Sequence, residues 1–187
     1  MLNIIFLNLA TALGETSGKS SMITFPQFIF MTTIFSLFSK VSLSILTFST
    51  KRHLFLINTN DDVVLSGWWM ETDKNAPTII GLHGVTSGKH SPDVLLVGGM
   101  LVSEGFNYLT FDFRDHGEST CEDGVHSAGQ KEIYDVKAAI DWLINEKDIP
   151  SENIGLHGSS FGAMVALMTQ YISDDINALS IVDTPFD

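Results

Sequence analysis

A serine with glycine two residues to either side stands between a strand-like and a helix-like run. Asn153-Ile154-Gly155-Leu156-His157 leads into Gly158-Ser159-Ser160-Phe161-Gly162, and Ala163-Met164-Val165-Ala166-Leu167-Met168 follows. Strand, G-x-S-x-G, helix is the context of a nucleophile elbow, a turn so sharp that its serine is strained. Bulky residues two places away would clash, so Gly158 and Gly162 let strand and helix pack closely. Ser160 is thereby predicted to stand at the carboxyl end of a sheet, at the start of a helix whose N–H groups favour developing negative charge.

The surrounding pattern fits such a sheet. Apolar runs at His53–Ile57 and Val63–Met70, separated by Asn58-Thr59-Asn60-Asp61-Asp62, predict an antiparallel hairpin. Thr78–Leu82 is a nearly continuous apolar run, typical of a parallel strand buried on both faces. Ser91-Pro92-Asp93 reads as a helix start with Ser91 as cap, the helix running to about Glu104 and ending at Gly105. Asn107–Phe113 is the next predicted strand, and Arg114–Gln130 a long polar loop. Lys131–Glu146 carries Ile133, Val136, Ile140 and Leu143 on one helical face. Pro150-Ser151-Glu152 leads into the elbow strand, the elbow helix ends near Tyr171, and Ile176–Val182 is a further strand. Strands alternating with helices predict a mostly parallel α/β sheet with helices on both faces.

Charge divides the chain. Residues 1–53 hold four Lys/Arg against one acid, whereas 54–187 hold six against 21. An acidic domain repels phosphates, which argues against a nucleic-acid partner. Cys121 is the single cysteine, so no internal disulfide can form. Residues 1–21 read as a poorly structured lead-in. Residues 22–50 are apolar, interrupted by Lys40 and closed by Lys51-Arg52-His53. Their length reaches that of a membrane-spanning helix, with a buried or interfacial helix as the alternative. Lys51 and Arg52 on the downstream side favour a membrane-associated protein with a cytoplasmic domain over 53–187.

A serine hydroxyl needs a base to take its proton, and acyl transfer needs donors for the oxyanion. The backbone N–H of Phe161 is one candidate donor. The second should lie after the Thr78–Leu82 strand, where His83-Gly84-Val85 stands, and the Val85 N–H is the candidate. The base has no such marker. His53, His83, His90, His116, His126 and His157 all precede Ser160. His157 reads as a packed residue, while His90 and His126 lie in loops. Asp112, Asp115, His116 and Glu118 fit a loop pinned by mutual hydrogen bonds better than a metal site. No phosphate-binding loop, dinucleotide fingerprint or metal site is expected, and no cofactor.

Thr78–Asp187 resembles the α/β-hydrolase superfamily, with His83-Gly84, Asp112-Phe113-Arg114-Asp115-His116-Gly117-Glu118-Ser119 and Gly158–Gly162 in the order and spacing of its serine hydrolases. It is most similar to serine aminopeptidases, acylaminoacyl peptidases and esterases. The resemblance implies Ser160 as nucleophile, Val85 and Phe161 as oxyanion donors, and a small acyl ester or peptide as substrate. It also implies an acid and then a histidine later in the chain. The loops that carry them have no counterpart before Asp187, so the domain reads as incomplete at its carboxyl end. Asp183, following the last predicted strand, is the candidate acid. The Ile176–Val182 strand is expected at an exposed edge, open to strand pairing. The alternative is a catalytically inactive relative acting as a membrane-tethered interaction domain.

Overall fold

The computed structural model describes residues 52–173 and 176–182. The lead-in 1–21, the apolar stretch 22–50 and the candidate acid Asp183 lie outside these residues. Among the described residues no helix is long and apolar enough to cross a membrane.

β1 (His53–Asn58) and β2 (Val64–Met70) form the expected antiparallel hairpin. β3 (Thr78–Leu82) is followed by α1 (Pro92–Ser103), β4 (Asn107–Phe111) and α2 (Glu132–Lys147). A single turn of 3-10 helix then leads into β5 (Ile154–Ser159), α3 (Phe161–Ile172) and β6 (Ala178–Val182). The six strands form one sheet in the order β1-β2-β4-β3-β5-β6. β2 joins β4 antiparallel, and β4, β3, β5 and β6 run parallel. The chain therefore forms a mostly parallel six-stranded sheet with β4 and β3 at its centre.

Alternation along the strands separates two cores. Met70, Ile79 and Tyr108 pack against Val94 and Val102 of α1 on one face. Trp69, Ile80, Leu109 and Phe111 pack on the other face with Val136, Ile140 and Leu143 of α2 and Val165 of α3. At the hairpin edge Phe55 stacks on Trp142 of α2 with ring centroids 4.5 Å apart. All five residues of β3 and of β4 are buried.

Three expectations need correction. β4 stops two residues early, because beyond Phe111 side chains replace its parallel partner. The Asp112 carboxylate turns to Lys89, and the Phe113 N–H donates to His83 Nε2 at 3.1 Å. Ser91 stands at the cap position of α1, but its hydroxyl donates back to the Gly88 carbonyl at 2.7 Å and makes no cap bond. β6 begins at Ala178, with Ile176 buried ahead of it rather than in the ladder. β6 is the last strand of the order, paired with β5 alone among the described residues, and all its residues are half-buried.

Candidate active site

The turn between β5 and α3 is tight. Ser160 adopts φ 51° and ψ −118°, a left-handed conformation that costs a non-glycine residue energy. Its side chain is exposed. The strain is held from both sides. The Ser160 N–H donates to the Val182 carbonyl of β6 at 2.9 Å, and the Ser160 carbonyl accepts from Met164 N–H at 3.1 Å. A Cβ on Gly158 would lie 2.5 Å from the Gly162 carbonyl carbon, and one on Gly162 would strike the Leu82 carbonyl. Glycine at both places is thus what lets α3 start against the end of β3.

The same packing brings the loop after β3 to the serine. A Cβ on Gly84 would lie 3.8 Å from Ser160 Cβ. His83 is fully buried and anchors this loop. Its Nε2 accepts the Phe113 N–H, so the proton sits on Nδ1, which donates to the Gly84 carbonyl at 2.7 Å. Burial holds the ring well below the usual histidine range, at about 4. The Gly84 carbonyl and the Val85 N–H belong to one peptide group, so His83 grips the group that carries the candidate donor. Neither the Val85 nor the Phe161 N–H has an acceptor among the described residues.

The profile of the X-Pro dipeptidyl-peptidase (S15) family matches residues 46–180. This chain belongs to that family. It is also similar to an esterase of Pyrococcus furiosus, at 36% identity and a TM-score of 0.62, over 70% of this chain and 50% of the esterase. It therefore spans about half the length of that enzyme. An α/β hydrolase from Penicillium (21% identity, TM-score 0.65, 68% of this chain and 44% of that one) shares the fold. So does a putative α/β hydrolase from Agrobacterium tumefaciens (24% identity, TM-score 0.59, 66% and 56%). No curated protein matches. The α/β-hydrolase superfamily is thus the home of this S15-family chain.

Around the serine of this S15-family chain, the other candidate residues have structural partners. Asp112 accepts from Lys89 Nζ at 2.5 Å, from the Lys89 N–H and from the Glu118 N–H. Asp115 Oδ1 gathers the N–H groups of Glu122, Asp123 and Gly124. Glu118 reaches Lys89 Nζ at 2.8 Å. Both His116 nitrogens face carbonyl oxygens, Arg114 O at 2.9 Å and Val85 O at 2.6 Å. Asp112 and Glu118 share Lys89, while Asp115 and His116 turn to backbone groups, so the four side chains pin the loop. Among the described residues no group of three His, Cys, Asp or Glu could hold a metal ion.

His157 is largely buried with Nδ1 3.1 Å from Ser180 Oγ, and burial lowers its pKa. The exposed His126 lays its ring 5.1 Å from that of Phe161. Among the described residues no histidine nitrogen hydrogen-bonds Ser160.

Three contributors had no signal in the sequence. Lys89 is buried between Asp112 and Glu118. Asp135 of α2 is buried against Arg114, whose Nε and Nη2 donate to its Oδ1 at 2.9 and 2.7 Å. Asp93, at the start of α1, accepts the Ser159 hydroxyl at 3.0 Å and so ties the elbow to the opposite face of the sheet.

Proposed function

We propose that this chain carries the nucleophile half of a serine hydrolase site that cleaves small acyl esters or peptide bonds. Ser160 Oγ attacks the acyl carbon, and the Val85 and Phe161 N–H groups receive the oxyanion. The observation that carries this reading is Ser160 itself, exposed at positive φ, next in the chain to the Phe161 N–H and with its Cβ 3.8 Å from a Cβ built on Gly84, the residue before Val85. A scaffold turn gains nothing from that strain. Asp183 is the candidate acid, since it follows Val182, whose carbonyl receives the Ser160 N–H. The family description points to peptides ending an X-Pro unit, and the Pyrococcus relative to esters.

The full chain should be treated with a fluorophosphonate probe, a p-nitrophenyl ester and an X-Pro anilide. Labelling at Ser160 is expected, with turnover that falls by at least about 10³-fold in Ser160→Ala. The ratio of ester to anilide rates assigns the substrate class. A non-catalytic relative is the rival reading, favoured by the lack of a base hydrogen-bonded to Ser160 among the described residues. Equal rates for the parent chain and Ser160→Ala would establish the rival.

A further inference from the structure

The two candidate oxyanion donors are supported unequally. The Phe161 N–H opens a 12-residue helix whose geometry fixes its direction. The Val85 N–H lies in the loop between β3 and α1, where the turn from Ser87 N–H to Gly84 O at 3.2 Å and the His83 bond to the Gly84 carbonyl order the peptide on its near side. A donor contributes to an oxyanion site only if it is aimed before the reaction begins. Among the described residues, the peptide on the far side of Val85 has no backbone partner within the loop.

Resting on the proposed role of the Val85 amide, we propose that His116 is a positioning residue for it. The imidazole reaches from the loop after β4 and grips the Val85 carbonyl, fixing the peptide on the far side of Val85 as His83 fixes the near side. The Nε2 to Val85 O distance is 2.6 Å, the shorter of the two His116 contacts. A carbonyl oxygen only accepts, so this bond requires a proton on Nε2.

The ring cannot easily turn away. It lies with its centroid 5.1 Å from the His83 ring and 6.4 Å from the Phe161 ring, nearly parallel to the latter at 24°. Its backbone is anchored too. Gly117, at φ 51°, has its Cα against the Asp112 carboxylate, which Lys89 holds. Lys89 lies in the same loop as Val85. Residues 84–89 are therefore stapled to residues 112–118 at both ends, by His116 on Val85 and by Asp112 on Lys89.

The test uses the full chain with three substitutions. His116→Phe keeps a ring against Phe161 and removes both donors. His116→Gln places an amide donor near the Nε2 position, and His116→Asn places one near Nδ1. With the p-nitrophenyl ester, His116→Phe should lower kcat about 30- to 100-fold with KM within about twofold, the scale of a misaimed catalytic group. His116→Gln should recover most of that loss and His116→Asn should not. In the parent chain without substrate, 15N NMR should report a proton on Nε2, and the Val85 amide resonance should move in His116→Phe while those of Leu109 and Leu156 stay. An unprotonated Nε2, an unmoved Val85 amide, or equal kcat for parent and His116→Phe would overturn the proposal. If His116→Phe does not fold, the contrast of Gln with Asn decides. Turnover no higher than that of Ser160→Ala would sink the proposed function instead, and the two NMR measurements would still decide whether the clamp exists.

Discussion

The elbow and the loop after β4 leave the same edge of one sheet, and opposite means hold them. The elbow is fixed by missing atoms. Gly158 and Gly162 leave room for α3 to start against β3, and the strained serine keeps its hydroxyl clear of described partners. The loop from Asp112 to Lys131 is fixed by ionised side chains drawn inward. Arg114 and Asp135 are buried, as are Lys89 and Asp112. The difference has a physical source. A turn that must present a reactive oxygen cannot tie that oxygen up, so its shape has to come from packing. A long segment with no strand partner must satisfy its amides otherwise, and carboxylates such as Asp115 and Asp112 accept several each.

The comparison is broken hardest at Arg114. Its guanidinium joins Asp135 on α2 to Asp61 in the hairpin turn, at 2.7 Å to each. Burial lifts the Asp135 carboxyl to about 6 while hydrogen bonds from Arg114 pull it down. Arg114→Ala leaves that carboxylate buried with the residue-114 N–H, at 3.0 Å, in place of the guanidinium. The expected loss is about 3–5 kcal/mol of folding stability by urea denaturation. Arg114→Ala combined with Asp135→Ala should cost less than Arg114→Ala alone, because no charge is then stranded. A loss under about 1 kcal/mol for the single change would show that packing holds this loop as well.

Legibility in the sequence divides along the same line. β3 was readable to the residue because a strand buried on both faces is a continuous apolar run. The elbow was readable because its steric demand admits few residue types at fixed spacing. Ionic anchoring carries no local signature. Asp112 reads as a loop-pinning acid, but its partner Lys89 is 23 residues away, while Asp135, 21 residues from Arg114, alone reads as surface charge. Asp135 even precedes Val136 in an amphipathic helix, where an acid is the ordinary choice for a solvent face. β4 was read two residues too long because Phe113 continues the apolar pattern, while its N–H turns to His83. The hand of His116 on Val85 was equally hidden, since it joins two loops 31 residues apart.

A second break exploits His83, which belongs to the sterically built half yet is titratable. Its pKa is about 4 in the fold against about 6.5 for the free side chain. The unfolded chain therefore takes up a proton below about pH 6.5 that the folded chain refuses until about pH 4. This contribution to stability is complete above pH 6.5 and is lost as pH falls toward 4, by roughly 3 kcal/mol over the window. Asp135, raised in the fold, works the other way between about pH 6 and 4. The comparison is then between the parent chain and His83→Gln, followed by urea midpoints from pH 7 to 4. The variant should be less stable at pH 7 and should lose less stability on acidification. Parallel curves would mean that the folded ring takes up a proton as readily as the unfolded one, so that burial does not hold it neutral.

The smallest break separates two uses of glycine. At Gly162 an added Cβ would sit 2.6 Å from the Leu82 carbonyl carbon and 2.7 Å from the His83 carbonyl oxygen, backbone atoms that cannot swing aside. Gly162→Ala must push α3 away from β3, at the upper end of the 1–3 kcal/mol typical of overpacking. Gly105, past the end of α1, has φ 92° and nothing within 4 Å of a built Cβ. Gly105→Ala bears conformational strain alone, about 1 kcal/mol. Thermal unfolding should rank the two, and turnover should separate them further. Gly162→Ala shifts the start of the helix that carries the Phe161 N–H, so its activity should fall even where it remains folded, while that of Gly105→Ala should match the parent. Equal costs at the two positions would mean that the elbow has slack, and that its glycines serve the left-handed turn rather than the approach of helix to strand.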